Sequence, residues 1–121
     1  MSISNEALRK VLLEIEQKSA FSSQQLGIVK TQLAAKHRES RMLQLTANEV
    51  GVLPQGTQLY EGVGKMFIQT PSGEVVDRLA REKQALTDDV ANLEKKRQYL
   101  ETTFKNSREH MDRILRSAGP M

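Results

Sequence analysis

Two long segments of this 121-residue chain carry apolar residues at alternating spacings of three and four, and this repeat limits what the chain can fold into. Because an α-helix turns once in about 3.6 residues, such spacing lines one helix face with apolar side chains. Nine positions of the C-terminal repeat are apolar: Val76, Leu79, Leu86, Val90, Leu93, Leu100, Phe104, Met111 and Ile114. Seven positions of the N-terminal repeat are apolar: Leu8, Leu12, Ile15, Leu26, Val29, Leu33 and Leu43. A repeat sustained over five heptads favours a coiled coil over a single amphipathic helix.

Glycine and proline separate these two segments. The centre of the chain contains Gly51, Pro54, Gly56, Gly62, Gly64, Pro71 and Gly73, whereas residues 1–50 and 74–118 contain only Gly27. Since both residue types weaken helix interiors, their distribution predicts helices over residues 5–45 and 72–117 within one domain, 1–121. Thr46 and Glu49 have the spacing of a capping box, which predicts that a separate short helix begins at Thr46 within the central segment, 46–71.

The two repeats match in length and spacing, which predicts that the chain folds back into an intramolecular antiparallel coiled coil. The alternative is a bundle of helices from different chains. The layers align when facing residue numbers sum to about 119, so that Leu33 faces Leu86. The same alignment places Lys36 opposite Lys83, where both side chains would have to extend outward to solvent. Acid-before-base pairs four residues apart, such as Glu74 and Arg78, are expected to support the second helix.

The region from Gln58 to Gln69 has two short β-prone runs around glycines, which predicts a β-hairpin. Its apolar residues are Leu59, Tyr60, Val63, Met66, Phe67 and Ile68. An isolated two-stranded hairpin is only marginally stable, and unpaired strand edges invite pairing with other strands. Because the helices already pack on each other, the hairpin is expected to join a sheet with other chains, as an obligate subunit would.

The order helix, hairpin, helix and the central sequence Tyr60-Glu-Gly-Val-Gly-Lys-Met-Phe67 resemble the β class of the prefoldin family. The resemblance covers nearly the whole chain. It implies a mainly α fold with one β-hairpin at the bend of a coiled coil, and an ATP-independent co-chaperone of six different subunits in the cytoplasm. The implied partners are other prefoldin subunits of both classes, unfolded actin and tubulin, and the cytosolic chaperonin. The alternative is a coiled-coil scaffold or tether in a prefoldin-like complex.

Two sets of residues are candidates for these roles. Subunit assembly is assigned to Leu59, Tyr60, Gly62, Val63, Gly64, Met66, Phe67 and Ile68, with the glycines allowing the turn or close strand approach. A client-binding tip, where the two ends of the coiled coil meet, is assigned to Leu8, Val11, Leu12, Leu13, Ile15, Met111, Ile114 and Leu115, beside Phe104. The residues in the repeat equally well complete the core, whereas Val11, Leu13 and Leu115 lie off the repeat and favour client or subunit contact.

Other functional classes find little support in the sequence. The chain has no cysteine, which excludes disulfides and thiolate chemistry, and His37 and His110 lack neighbouring ligands for a metal. The net charge of +3 is spread along the chain, so no basic patch indicates nucleic-acid binding. No apolar run is long enough for a bilayer, no signal sequence is apparent, and a helix pair is expected to offer no concave pocket. We therefore expect a protein that is not an enzyme and that needs no cofactor.

Overall fold

The computed structural model describes residues 4–117, in the order helix α1 (Asn5–Gly51), strands β1 (Leu59–Val63) and β2 (Met66–Thr70), and helix α2 (Ser72–Ser117). The predicted architecture, two long antiparallel helices with one two-stranded hairpin between them, is confirmed. The chain divides into two compact units. The first contains the described residues up to Leu33 and those from Leu93 onward, and the second spans Ala34–Asn92.

Helix α1 begins at a serine cap and continues without a break to Gly51. The Ala7 N–H donates a 3.2 Å hydrogen bond to Ser4 Oγ, which satisfies one of the free amides of the first turn. The separate short helix predicted to begin at Thr46 is wrong, because α1 runs through this position. Thr46 Oγ1 instead donates to the Met42 carbonyl one turn earlier, at 2.9 Å, as hydroxyls inside helices do.

The buried side chains follow the repeats. The buried apolar residues of the helices are Ile15, Val29, Leu33, Val75, Leu79, Leu86 and Leu100, and the buried serines are Ser19, Ser22 and Ser107. One repeat position was wrong: Val76 is 49% exposed, whereas its neighbour Val75 is 6% exposed. Both valines lie one turn before Leu79, so the spacing cannot distinguish them. The orientation of the first turn of α2, next to the hairpin, decides which one faces inward.

The alignment of the helices differs from the predicted one in the second unit. Lys36 Nζ lies 3.5 Å from Asp89 Oδ2, and Lys83 Nζ donates to Gln44 Oε1 at 2.7 Å. Lys36 therefore does not face Lys83, and facing numbers sum to about 126 rather than 119, a shift of roughly one heptad. A shift of one heptad leaves the apolar pattern unchanged, so the repeat alone could not exclude it.

Candidate subunit-assembly surface

The β-hairpin has a two-residue turn set by a glycine. Strands β1 and β2 pair antiparallel from Leu59 with Thr70 to Val63 with Met66, so Gly64 and Lys65 form the turn. Gly64 has a φ of 63°, a left-handed value, while no other residue type among those described has a positive φ. Glycine at the first turn position with positive φ is the pattern of a type II′ hairpin turn, whose twist suits the flanking strands. The role of Gly64 in the turn is thus explained.

The two faces of the hairpin differ in what they contact. Directly paired residues share a face, so Leu59, Glu61 and Thr70 lie on one side, and these three are half-buried. Tyr60 and Phe67 lie on the other side, which is exposed. Phe67 is 76% exposed, a high value for an aromatic side chain in a folded protein. The first face is therefore anchored to its own chain near the base, while the second has no cover.

Exposed apolar side chains occur on both faces of the hairpin: Tyr60 and Phe67 on one, and Val63, Met66 and Ile68 on the face that also carries Glu61. The large exposed apolar residues of the hairpin are Tyr60, Val63, Met66, Phe67 and Ile68. The Tyr60 hydroxyl donates locally to Gln58 Oε1 at 3.0 Å, which leaves the ring free to contact a partner. Clustered exposed apolar groups of this kind mark interaction sites in soluble proteins. We call these five residues the hairpin surface.

Gly62 serves the hairpin surface in a different way from Gly64. A Cβ at Gly62 would lie 3.8 Å from Phe67 Cε1, so the Phe67 ring packs beside the Gly62 backbone across the strand pair. Its φ is not in the left-handed region, and a small side chain would make only ordinary van der Waals contact there. Gly62 therefore gives space to the ring, whereas Gly64 gives the backbone its turn.

An ion pair that the sequence did not indicate connects the hairpin to α2. It starts from the face that carries Leu59, Glu61 and Thr70, which we call the inner face. The Glu61 carboxylate contacts the Arg78 guanidinium, and Arg78 Nε also lies 3.7 Å from Glu82 Oε1. The expected partner of Arg78, Glu74, forms no ion pair in the described part of the chain. The only available signal was an acidic residue in the middle of an otherwise apolar strand, which by itself names no partner.

The second unit also contains an open groove between α1 and α2, of about 760 Å³. Its apolar lining residues are Ala35, Met42, Leu43, Ala85 and Leu86, and the polar and charged residues at its rim are Arg38, Glu39, Thr46, Glu82 and Asp89. The groove is open to solvent, so it differs from the enclosed pocket that would exclude water from a substrate. Lys36 bridges the rim carboxylates, at 3.9 Å from Glu39 and 3.5 Å from Asp89.

The candidate tip residues, all in the first unit, separate into two groups. Ile15 is buried in the core, and Leu8, Leu12, Phe104, Met111 and Ile114 are half-buried. Leu13 and Leu115 are 54% and 52% exposed, and Val11 is also exposed. The three residues that lie off the repeat are thus the exposed ones, as their position in the heptad requires.

Residues that could suggest other chemistry are dispersed. His37 lies in one unit and His110 in the other, and both are exposed. Within residues 4–117 no group of three or more His, Cys, Asp or Glu side chains could hold a metal ion. Neither helix, over the same residues, contains a stretch apolar and long enough to cross a membrane.

Comparison with known proteins accounts for this arrangement. The chain is 31% identical over 110 residues to a probable prefoldin subunit 1 of Schizosaccharomyces pombe, covering 91% of this chain and 98% of that protein. It is 29% identical to prefoldin subunit 1 of Danio rerio, covering 91% and 90% of the two chains. The prefoldin beta subunit from Thermococcus strain KS-1 has the same fold, with a TM-score of 0.82 at 20% identity, covering 95% and 96%.

A family model described as prefoldin subunit matches residues 13–118, nearly the whole helix–hairpin–helix arrangement. Prefoldin subunits are non-enzymatic chaperone components, so the absence of a catalytic site in the sequence analysis agrees with the family. The family also implies other prefoldin subunits as partners within a chaperone complex. The chain belongs to the prefoldin family, as a β-class homologue of prefoldin subunit 1.

Proposed function

We propose that the chain is a subunit of a heterohexameric prefoldin co-chaperone and that the hairpin surface joins it to the other subunits. The observation that carries the proposal is the exposure of Tyr60, Val63, Met66, Phe67 and Ile68 on a two-stranded sheet with both edges unpaired. Burial of these side chains, together with pairing of the strand edges, would stabilise a sheet built from several chains. Gly62 leaves space for the Phe67 ring, Gly64 allows the tight turn between the strands, and Leu59 anchors the base of the hairpin to the rest of the chain.

The chain works, in this proposal, as a single prefoldin-like domain in which the two units have different tasks. The second unit carries the hairpin surface, and the first carries Val11, Leu13 and Leu115. These three exposed side chains would contact unfolded polypeptide, helped by Leu8, Leu12, Met111 and Ile114 where helix ends fray. Ile15 contributes by completing the core beneath them.

The clients would be unfolded actin and tubulin, which the complex would pass to the cytosolic chaperonin in the cytoplasm without ATP. Weak apolar contacts are suited to this task because several subunits bind one client together. Linked weak contacts hold a client tightly, yet each one can be released separately during transfer. The charged residues are spread along the sequence, so no charged patch suggests a different mode of client binding.

Native mass spectrometry of the complex recovered from cells through a tag on this chain tests the assembly. We expect one particle that contains six different small subunits. Recovery of the chain alone, or with one unrelated partner, would contradict the proposal and favour the scaffold or tether function.

Light scattering of denatured actin, diluted with and without the recovered complex, tests the client. We expect the complex to suppress aggregation without added nucleotide, and then to yield folded actin only when chaperonin and ATP follow. Unchanged aggregation would contradict the client assignment while leaving the assembly in place.

A further inference from the structure

The hairpin has few attachments to the helices, and one of them is ionic. On the inner face only the base residues Leu59 and Thr70 are half-buried by other parts of the chain, apart from Glu61. On the same face Ile68 lies directly opposite Glu61, Val63 and Met66 lie nearer the turn, and all three are exposed. Glu61, at the middle of β1, is thus the outermost point at which the hairpin is fixed to its own chain.

Arg78, the partner of Glu61, has a second carboxylate near it. Arg78 lies on α2, where Glu82 is one turn further along the same helix. The guanidinium therefore has one carboxylate on its own helix, 3.7 Å from Nε, and another on the hairpin. At 3.7 Å the Glu82 contact is an ion pair without a hydrogen bond, so it attracts the guanidinium weakly and the Glu61 contact is the closer of the two.

The contact is partly shielded from solvent: the Glu61 side chain is 27% exposed and that of Arg78 is 41% exposed. Glu61 Oε1 is shielded from solvent and has no other polar partner among residues 4–117. A shielded carboxylate oxygen without a partner is costly, so the hairpin orientation that keeps Arg78 beside it is favoured over others. Solvent screens the exposed part of this ion pair, so the shielded Glu61 Oε1 carries most of the preference.

We infer that Glu61 and Arg78 are positioning residues, which set the angle of the hairpin relative to α2 before partner strands are met. The inference rests on the proposed function of the hairpin surface in assembly. A sheet built from several hairpins requires each one to approach at a defined angle, and an already oriented hairpin loses less entropy on joining it. Glu61 and Arg78 thus affect assembly indirectly, by orienting the hairpin surface that includes Phe67.

Spin labels in the free full-length chain test the orientation directly. The chain has no cysteine, so Lys65→Cys in the turn and Arg81→Cys on α2 supply two unique labelling sites, both exposed. We expect a narrow distance distribution in the parent, and a shifted, broader one in Glu61→Gln. Glu74→Gln is the matched control, because it removes the same charge one turn from Arg78 without breaking an ion pair. An unchanged distribution in Glu61→Gln would overturn the inference.

A double-mutant cycle then separates positioning from general damage. Glu61→Gln should weaken association with co-expressed partner subunits roughly tenfold. The double variant with Arg78→Gln should be no weaker, since in Glu61→Gln the Arg78 side chain has already lost its contact with the hairpin and keeps only Glu82 on its own helix. Additive losses would contradict a shared role. Assembly that survives Phe67→Asp would instead overturn the proposed function, while the label distances in the free chain would still decide the role of the ion pair.

Discussion

The helices and the hairpin of this chain both carry regularly placed apolar residues, but only the helices bury them. Val29 and Leu33 are buried between α1 and α2, whereas Phe67 and Met66 remain exposed on the hairpin. The helices complete their packing within one chain because their two repeats cover each other. The hairpin has no second layer of its own, so its surface is the part of the molecule that requires other chains.

The contrast between the buried helix residues and the exposed hairpin residues is tested most strongly by placing a charge on the hairpin surface. Phe67→Asp should abolish assembly with partner subunits, because a carboxylate would be buried there without a partner. Helical content should stay unchanged, since Phe67 contacts neither helix core. Native mass spectrometry and circular dichroism measure the two outcomes. Gln55→Asp is the control, because it adds the same charge at an exposed position before β1 and outside the hairpin, and we expect it to assemble.

The opposite result is expected from a change in the helix core. Leu33→Ala should lower the free energy of unfolding of the free chain by about 2–5 kcal/mol, because it leaves a cavity at a buried position. Urea unfolding followed by circular dichroism measures the loss. Met42→Ala on the same helix, at an exposed position, should change it by less than about 0.5 kcal/mol. Equal losses would mean that the helix core is not the source of stability.

A third test concerns the exposed residues of the first unit. The double variant Leu13→Ser with Leu115→Ser should assemble normally but protect denatured actin severalfold less well, since its apolar contacts with client are lost. Light scattering at matched complex concentration measures protection. Phe21→Ser, another exposed apolar position in the same unit, serves as the control. Equal loss in the control would extend the client surface along α1, and no loss in the double variant would place it elsewhere.

The smallest effect is expected within the hairpin. Gly64→Ala should destabilise the turn by about 1–2 kcal/mol, because alanine is strained at a φ of 63°. Gly62→Ala should be tolerated, since its Cβ would meet Phe67 Cε1 at 3.8 Å. Amide hydrogen exchange of the strand residues in the free chain measures both. Faster exchange in Gly62→Ala than in Gly64→Ala would reverse the roles assigned to the two glycines.

The sequence by itself determined the architecture of the chain, two long helices with one hairpin between them. Heptad spacing specifies helices because it is a local property of the chain, and the central glycines and prolines specify where the helices stop. The same spacing also distinguished the exposed Leu13 and Leu115, which lie outside the heptad repeat, from the buried Ile15, which belongs to it. These assignments needed no knowledge of which residues meet.

Only the tertiary structure decided the pairings between distant residues. A coiled-coil repeat looks the same after a shift of seven, so the spacing could not show that Lys36 meets Asp89 and not Lys83. It also could not show that Val75 is buried and Val76 is exposed. Nor could it show that Arg78 forms an ion pair with Glu61 and not with Glu74. Each of these choices depends on where the hairpin turns the chain, and a turn fixes contacts between residues that no local pattern relates.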